Sequence, residues 1–366
     1  MIKGWLIGMD NITLNAFDGS LIDNSIFFSA LDVGFVFSCN LHNGYVQPFA
    51  RLSNNIEIID SCVYGNEIYL FAYLENSVYS INLETKEKRK ISAEGSALVT
   101  GEEMRISMPI RILNRLYLFP FFRSRDFMIF DLDKGNLETH PDTLNHIYFH
   151  LDISGNEEVK VTKLDDCFVF FSTSNHFLVY TDMEFNILRT IKIGNEALIY
   201  DVKSDKDSAW VFLKNHLDVF RVYGDGKVSV YKNSNALFRG TYGDIIFTER
   251  GNILLPCDDP NIYIVDDFSK EIRIINNDFK LKKVKGNNRP MFNKHIYTDN
   301  GCYCIPLASD KMLFIDRKGN IRDMKMYIDR WNMNSIMKAL LEDGIVFNEK
   351  KSLFTLDDFL CFATVM

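Results

Sequence analysis

A stretch that returns in altered form sets the terms for this chain. Residues 67–91 read "EIYLFAYLENSVYSINLETKEKRKI", and residues 115–140 read "RLYLFPFFRSRDFMIFDLDKGNLETH". Each is an apolar strand ending in Leu-Phe, a polar loop, a second apolar strand, an acidic turn and a more polar strand. The same parts recur along the chain. Polar turns leading into an apolar strand begin at 22, 64, 112, 164, 205, 249 and 298, so the steps run from 41 to 52 residues. Turns of the Asn-Gly or Asp-Asn kind supply the positive φ that a tight hairpin needs. The second apolar strand follows, as in "SVYSINLE", "FMIFDLD", "FLVYTDME" and "MLFIDRKGN". Shorter polar strands come next, such as "EKRKI", "NLETH" and "NIRDMKM". A further strand precedes each turn, as in "IEIIDSCVY", "RISMPIRIL", "EVKVTKL" and "GDIIFTE".

Seven units of four strands follow from this count. A four-stranded antiparallel unit repeated at that spacing is a β-propeller blade. One blade cannot bury both faces alone, whereas stacked blades bury both and leave only short edges. The expected fold is therefore all-β, a seven-bladed β-propeller, with inner strands apolar almost throughout and a charged outermost strand. The resemblance is to seven-bladed propellers as a class, over roughly residues 10–327. It rests on spacing, because the Gly-His…Trp-Asp pair of WD repeats, the kelch double glycine and a row of docking tryptophans are all missing. "KSDKDSAW" (203–210) resembles an Asp-box turn through Asp205 and Trp210, with Lys203 and Asp207 standing where Ser and Gly are usual.

Composition narrows the class further. Thirty Phe and 16 Tyr favour strands, whose half-buried surface suits flat rings. A net charge of −8 repels phosphate backbones, so nucleic-acid binding is not expected. "KEKRK" (86–90) is broken by Glu87 and reads as a solvated edge strand. Seven cysteines, most inside apolar strand patterns, fit buried free thiols in a reducing compartment. Cys302-x-Cys304 has no second pair to make a zinc site. No apolar run of 18 residues occurs, so no membrane association and a cytoplasmic location are expected. The propeller is expected over 1–328 and a helical extension over 329–366. That extension comprises "WNMNSIMKALLEDG" (331–344), with Asn334 as N-cap and Gly344 as stop, and "TLDDFLCFATVM" (355–366). These helices either cover the propeller or dock a partner.

The class resemblance implies where a ligand would bind. In propellers, the loops joining second to third strands and those joining successive blades open on one face. Five of the seven histidines fall in such loops. His176 and His216 hold corresponding places in the fourth and fifth units, and His140, His146 and His150 lie in "THPDTLNHIYFH". The third unit's loop adds Phe121, Phe122, Arg123 and Arg125, and the sixth adds Asp258 and Asp259. His146 and His150, spaced i, i+4, could share a metal on a helix face, but no metal is expected. Arginines flanked by phenylalanines suit a protein or peptide partner, or an anionic ligand such as an acidic glycan. The alternative is a small lyase or hydrolase with His150, His176 or His216 as general base. No P-loop, dinucleotide fingerprint or nucleophile elbow is present, and no cofactor is expected.

Overall fold

The computed structural model describes residues 16, 18–29, 34–52, 56, 58–72, 77–92, 109–122, 127–155, 157–194, 197–233, 238, 240–275, 280–282, 291–307, 309, 311–329, 331–332, 335–336 and 338–339. By internal contacts the chain divides into two compact units. One comprises residues 1–70, 80–89 and 279–366, the other residues 71–79 and 90–278. The fold is an all-β propeller built of four-stranded antiparallel blades.

In chain order the first sheet runs β1 (Ser20–Ile22), β2 (Ser25–Ser29), β3 (Phe35–Asn40) and β4 (Tyr45–Arg51). The next is β5 (Ile58–Tyr64), β6 (Glu67–Ala72), β7 (Ser77–Asn82) and β8 (Lys88–Ser92). A third is β9 (Ile110–Ile112), β10 (Arg115–Leu118), β11 (Phe127–Asp131) and β12 (Asn136–His140). A short helix, α1 (Asn145–His150), leads to β13 (Val159–Lys163), β14 (Phe168–Ser172), β15 (Phe177–Thr181) and β16 (Ile187–Lys192). Then come β17 (Ile199–Ser204), β18 (Ser208–Leu213), β19 (Val219–Tyr223) and β20 (Val228–Asn233). They are followed by β21 (Tyr242–Ile246), β22 (Asn252–Pro256), β23 (Tyr263–Asp266) and β24 (Glu271–Ile274). These last two groups share one sheet, because the outer strands β20 and β24 pair in parallel at Lys232–Glu271 and Asn233–Ile272. Finally, β25 (Phe292–Thr298), β26 (Gly301–Pro306), β27 (Met312–Asp316) and β28 (Ile321–Met324) form a sheet, and β29 (Tyr327–Ile328) pairs in parallel with β4.

Strand periodicity shows why these sheets must stack. On β14, Phe168 and Phe170 point into one core with Phe119, Phe127 and Phe185, while Val169 and Phe171 point into another with Tyr180 and Val211. On β18, Ala209 and Val211 share that second core, and Trp210 and Phe212 enter a third with Tyr231, Tyr242 and Tyr263. Both faces of each blade are thus apolar, and each fully buried ring contributes about 1.5–3 kcal/mol. Phe119, Phe127, Phe168 and Phe185 sit in offset and edge-on pairs at 5.0–5.6 Å.

The recurring acidic turn is a backbone cap. Oδ1 of Asp131 accepts the amides of Asp133 and Lys134 at 3.1 and 3.0 Å. Asn40, Asn82, Asp182 and Asp266 do the same between the third and fourth strands of their blades. The Asp-box-like turn is also formed. Oδ2 of Asp205 accepts Trp210 Nε1 at 2.9 Å and Arg221 at 3.0 Å, while Oδ1 accepts the amide and hydroxyl of Ser208 at 2.8 and 2.7 Å. Arg221 lies between the Trp210 and Tyr223 rings, 4.9 and 4.8 Å from their centroids.

Trp331, Asn332, Ser335, Ile336, Lys338 and Ala339 are helical, as expected for the start of the C-terminal extension; residues 355–366 lie outside the described residues. The entry to this segment is clasped to the first sheet. Tyr327 N donates to Gly44 O at 2.9 Å, the Tyr45 hydroxyl donates to Asp329, and Asn332 Nδ2 donates to the Tyr45 hydroxyl at 2.7 Å. Gly44 makes the approach possible. Its φ is +75°, and a Cβ there would stand 2.0 Å from Lys325 O. Gly44→Ala therefore separates β29 from β4. It is expected to cost about 2 kcal/mol or more and to speed amide exchange at Tyr327 and Ile328, measured by hydrogen–deuterium exchange.

Candidate functional site

In the second unit, the connections expected to form a binding face do converge. Antiparallel order puts the start of each first strand beside the end of the second, and hydrogen bonds join the loops there. Val159 N donates to Phe121 O at 2.7 Å, and Phe122 bridges to Glu158. Thr173 Oγ1 donates to Glu158 Oε2 at 3.0 Å, and Lys214 Nζ to Thr173 O at 2.9 Å. Asn215 N donates to Thr241 Oγ1 at 3.0 Å, and Asn175 Nδ2 to Leu151 O. These bonds fasten loops from successive blades to one another. The half-buried Phe121 and Phe122 rings meet edge-on at 5.1 Å.

His176 and His216 lie in loops at this end, whereas His146 bonds to the β15–β16 turn at the other end of its blade, so the predicted histidines form no shared centre. His146 Nε2 donates to Phe185 O at 2.8 Å from α1, whose Ile147 and Tyr148 are buried in the aromatic core. His176 Nδ1 donates to Ala197 O at 2.9 Å, leaving Nε2 as the basic nitrogen. His216 Nδ1 accepts Asp218 N at 3.1 Å, which places the proton on Nε2. His150 is exposed at the end of α1, edge-on to Phe149. Among the described residues, none of these four forms an ion pair with a carboxylate, and no group of three metal-ligating side chains occurs. Asp258 is exposed, and Asp259 caps its own turn by accepting the amide and side chain of Asn261. Arg123 and Arg125 lie outside the described residues.

The first strands carry charge as well as apolar residues. In the second unit β13, β17 and β21 lie side by side and bear a ladder of alternating sign. Lys160 Nζ is 3.2 Å from Glu158 and 4.0 Å from Asp201; Lys203 Nζ is 3.1 Å from Asp201 and 3.6 Å from Asp244. The physical reason is position. A first strand has a ladder partner on one side only, so its polar side chains meet those of the adjacent first strands. Lys160 and Lys203 keep about a quarter of their side-chain surface, 27% and 26%, although protein surrounds them.

A bulge builds this arrangement. Register shifts between Ile199 and Asp201, between Tyr242 and Asp244 and, in the first unit, between Phe292 and Lys294, each one residue into the strand. Each bulge delivers a charged residue. Asp201 and Asp244 then accept the next amide of their own chain, at 2.9 and 2.8 Å. The signal was present in the sequence as "IYD", "YGD" and "FNK", with the charged residue third in the strand. The adjoining Tyr200 hydroxyl accepts Cys257 Sγ at 3.2 Å.

Electrostatics follow from the pairing. Burial alone would raise the Asp201 carboxyl, but Lys203 and Lys160 overcome it and hold it below the usual carboxylate range. Burial likewise opposes the Lys203 ammonium, yet Asp201 and Asp244 hold it above its ordinary value. Burial, then Cys257, pushes the Tyr200 hydroxyl up.

Neither a protein-family model nor a curated protein sequence matches the chain. Solved structures do resemble it. Virginiamycin B lyase from Staphylococcus aureus aligns with a TM-score of 0.59 at 9% identity, over 82% of this chain and 95% of that one. YCF48 from Cyanidioschyzon merolae aligns with a TM-score of 0.60 at 10% identity, over 84% and 96%. A chain of the mitotic checkpoint complex gives 0.53 at 10%, over 88% and 90%. The resemblance is one of fold: these neighbours are β-propeller proteins, as this chain is. At such identities it carries no chemistry over. Among the described residues no helix is long and apolar enough to cross a membrane.

The ladder makes a stability prediction. Lys203→Met leaves Asp244 facing Asp201 without its cation and is expected to cost about 2–4 kcal/mol in urea denaturation. Adding Asp201→Asn should restore part of that loss. Because Asp201 is held low, its stabilisation is complete above the ordinary carboxylate pKa and disappears as pH falls below it.

Proposed function

We propose that the protein is a binding or scaffold protein that presents the loop face of its second unit to a protein or peptide partner. The observation that carries this reading is the cross-blade hydrogen bonding of the loops, from Phe121 through Glu158 and Thr173 to Lys214. A preorganised surface binds without a large ordering cost. Phe121 and Phe122 supply an apolar anchor. Arg123 and Arg125, next in sequence, are the residues we assign to an acidic peptide or anionic glycan, with His146, Asp258 and Asp259 as further candidate contacts. We also infer seven blades; the count is supported by the succession of β1–β28 in antiparallel groups of four.

A lyase reading is favoured by one observation, the His176 tautomer that leaves Nε2 free to accept a proton. Incubation with quinupristin, a ligand of the structurally similar virginiamycin B lyase, tests it directly; an unchanged compound by mass spectrometry removes that substrate class.

The binding reading is tested by crosslinking capture from native lysate with the wild type and with Phe121→Ala/Phe122→Ala. Melting curves confirm that the variant folds. Loss of one or more partners by about tenfold or more, the effect of removing an anchor worth over 1.4 kcal/mol, is the expected outcome. An identical partner set in both samples overturns the assignment of the face.

A further inference from the structure

We propose that Asp18 is a proton-operated latch on the chain entering β1. When neutral, its carboxyl fastens that segment to β2 and β5; when ionised, it loosens the segment.

The geometry is that of a carboxyl group placed where a charge is poorly served. Asp18 is fully buried. Oδ1 accepts Ser29 N at 2.7 Å, and Oδ2 meets Ser29 Oγ at 3.2 Å. The Ser61 hydroxyl of β5, which favours the ionised form electrostatically, is 2.9 Å from Ser20 Oγ. The adjoining Gly19 packs against Ile296 and Ile305. Ala16 N is tied to Pro306 O at 3.3 Å. The charged groups that face Asp18 come from two other strands, Asp60 on β5 and Lys294 on β25. Lys294 Nζ stands 2.6 Å from Asp60 Oδ1, so its charge is committed there, and Asp60 adds a like charge beside Asp18. Among the described residues no cation pairs with Asp18 itself.

The hydroxyl partner can also serve the neutral acid. A serine hydroxyl donates or accepts by rotating about one bond. A protonated Oδ2 can therefore donate to Ser29 Oγ while Oδ1 keeps the Ser29 amide, and no atom needs to move. Ionised, the same group is a buried charge with hydroxyl and amide donors but, among the described residues, no counterion. Burial, only partly offset by the Ser29 amide, pushes the carboxyl up to about 7. The unfolded chain releases this proton near pH 4. Between those values the folded state holds more protons than the unfolded one, so this contribution to stability declines as pH rises and is lost above about 7.

Asp18→Asn keeps the shape and places a permanent donor where the acid carries its proton. Melting temperatures of wild type and Asp18→Asn are compared from pH 5 to 8.5. The wild type is expected to lose stability relative to the variant as pH rises from 5, and the difference to level off above about 7. The variant should be the more stable by about 3 °C or more at the alkaline end. Asp60→Asn, which removes the like charge, should move that levelling-off toward acid. Parallel curves for wild type and Asp18→Asn overturn the proposal. Should Asp18→Asn fail to fold, carboxyl-carbon NMR of Asp18 in the wild type decides: a midpoint near 7 supports the latch, and one below 5 overturns it.

Discussion

A four-stranded antiparallel sheet that is apolar on both faces cannot stand in water. Nearly everything else in this structure follows from that constraint. β14 and β18 each give alternate residues to two different cores, so no blade of the second unit is complete without a neighbour on either side. The large number of phenylalanines serves this purpose. Rings at 5–6 Å in edge-on and offset pairs fill the space between twisted sheets, where aliphatic side chains would leave gaps.

Stacking solves the faces and leaves the edges. The outer edges are treated in two ways. β8 is nearly all Lys, Arg and polar residues, with Arg89 held by Glu67 at 2.5 Å. β4 and β20 are instead covered by the parallel partners β29 and β24. At the other edge, the first strands meet their neighbours through hydroxyl pairs at equivalent places, Ser20 with Ser61 and Thr162 with Ser204. Beyond them come charges that neutralise one another. The ladder from Glu158 to Asp244 in the second unit, and the Lys294–Asp60 pair in the first, each neutralise their own charges.

Much of the fold was legible in the sequence because its signals are local. The second and third strands are continuous apolar runs, the acidic turns are side-chain caps that need one residue at a fixed offset, and Asp205 with Trp210 announced its own turn. The pairing of the first strands was not legible, although "EVKVTKL" carries three charges and "GDIIFTE" two. Those charges find partners 40 or more residues away, as Lys160 does in Asp201 and Lys203 in Asp244. Pairing at that separation has no sequence period. The loop positions of His146, His176 and His216 were readable; their hydrogen bonds to Phe185, Ala197 and Asp218 were not, since backbone acceptors and donors carry no residue identity.

The clasp of β29 on β4 has a mechanical consequence. It spans only two paired positions, Tyr327 with Tyr45 and Ile328 with Val46, and is secured just beyond by Asp329 and Asn332 on the Tyr45 hydroxyl. Tension applied to the chain past residue 332 would reach that side-chain knot before any ladder bond. Once Tyr45 let go, the two pairs would share the pull with little reserve, and the sheet behind them would feel force through β28 alone. Tyr45 thus works as a fuse: the terminal segment can be drawn away while β1–β4 remain paired among themselves.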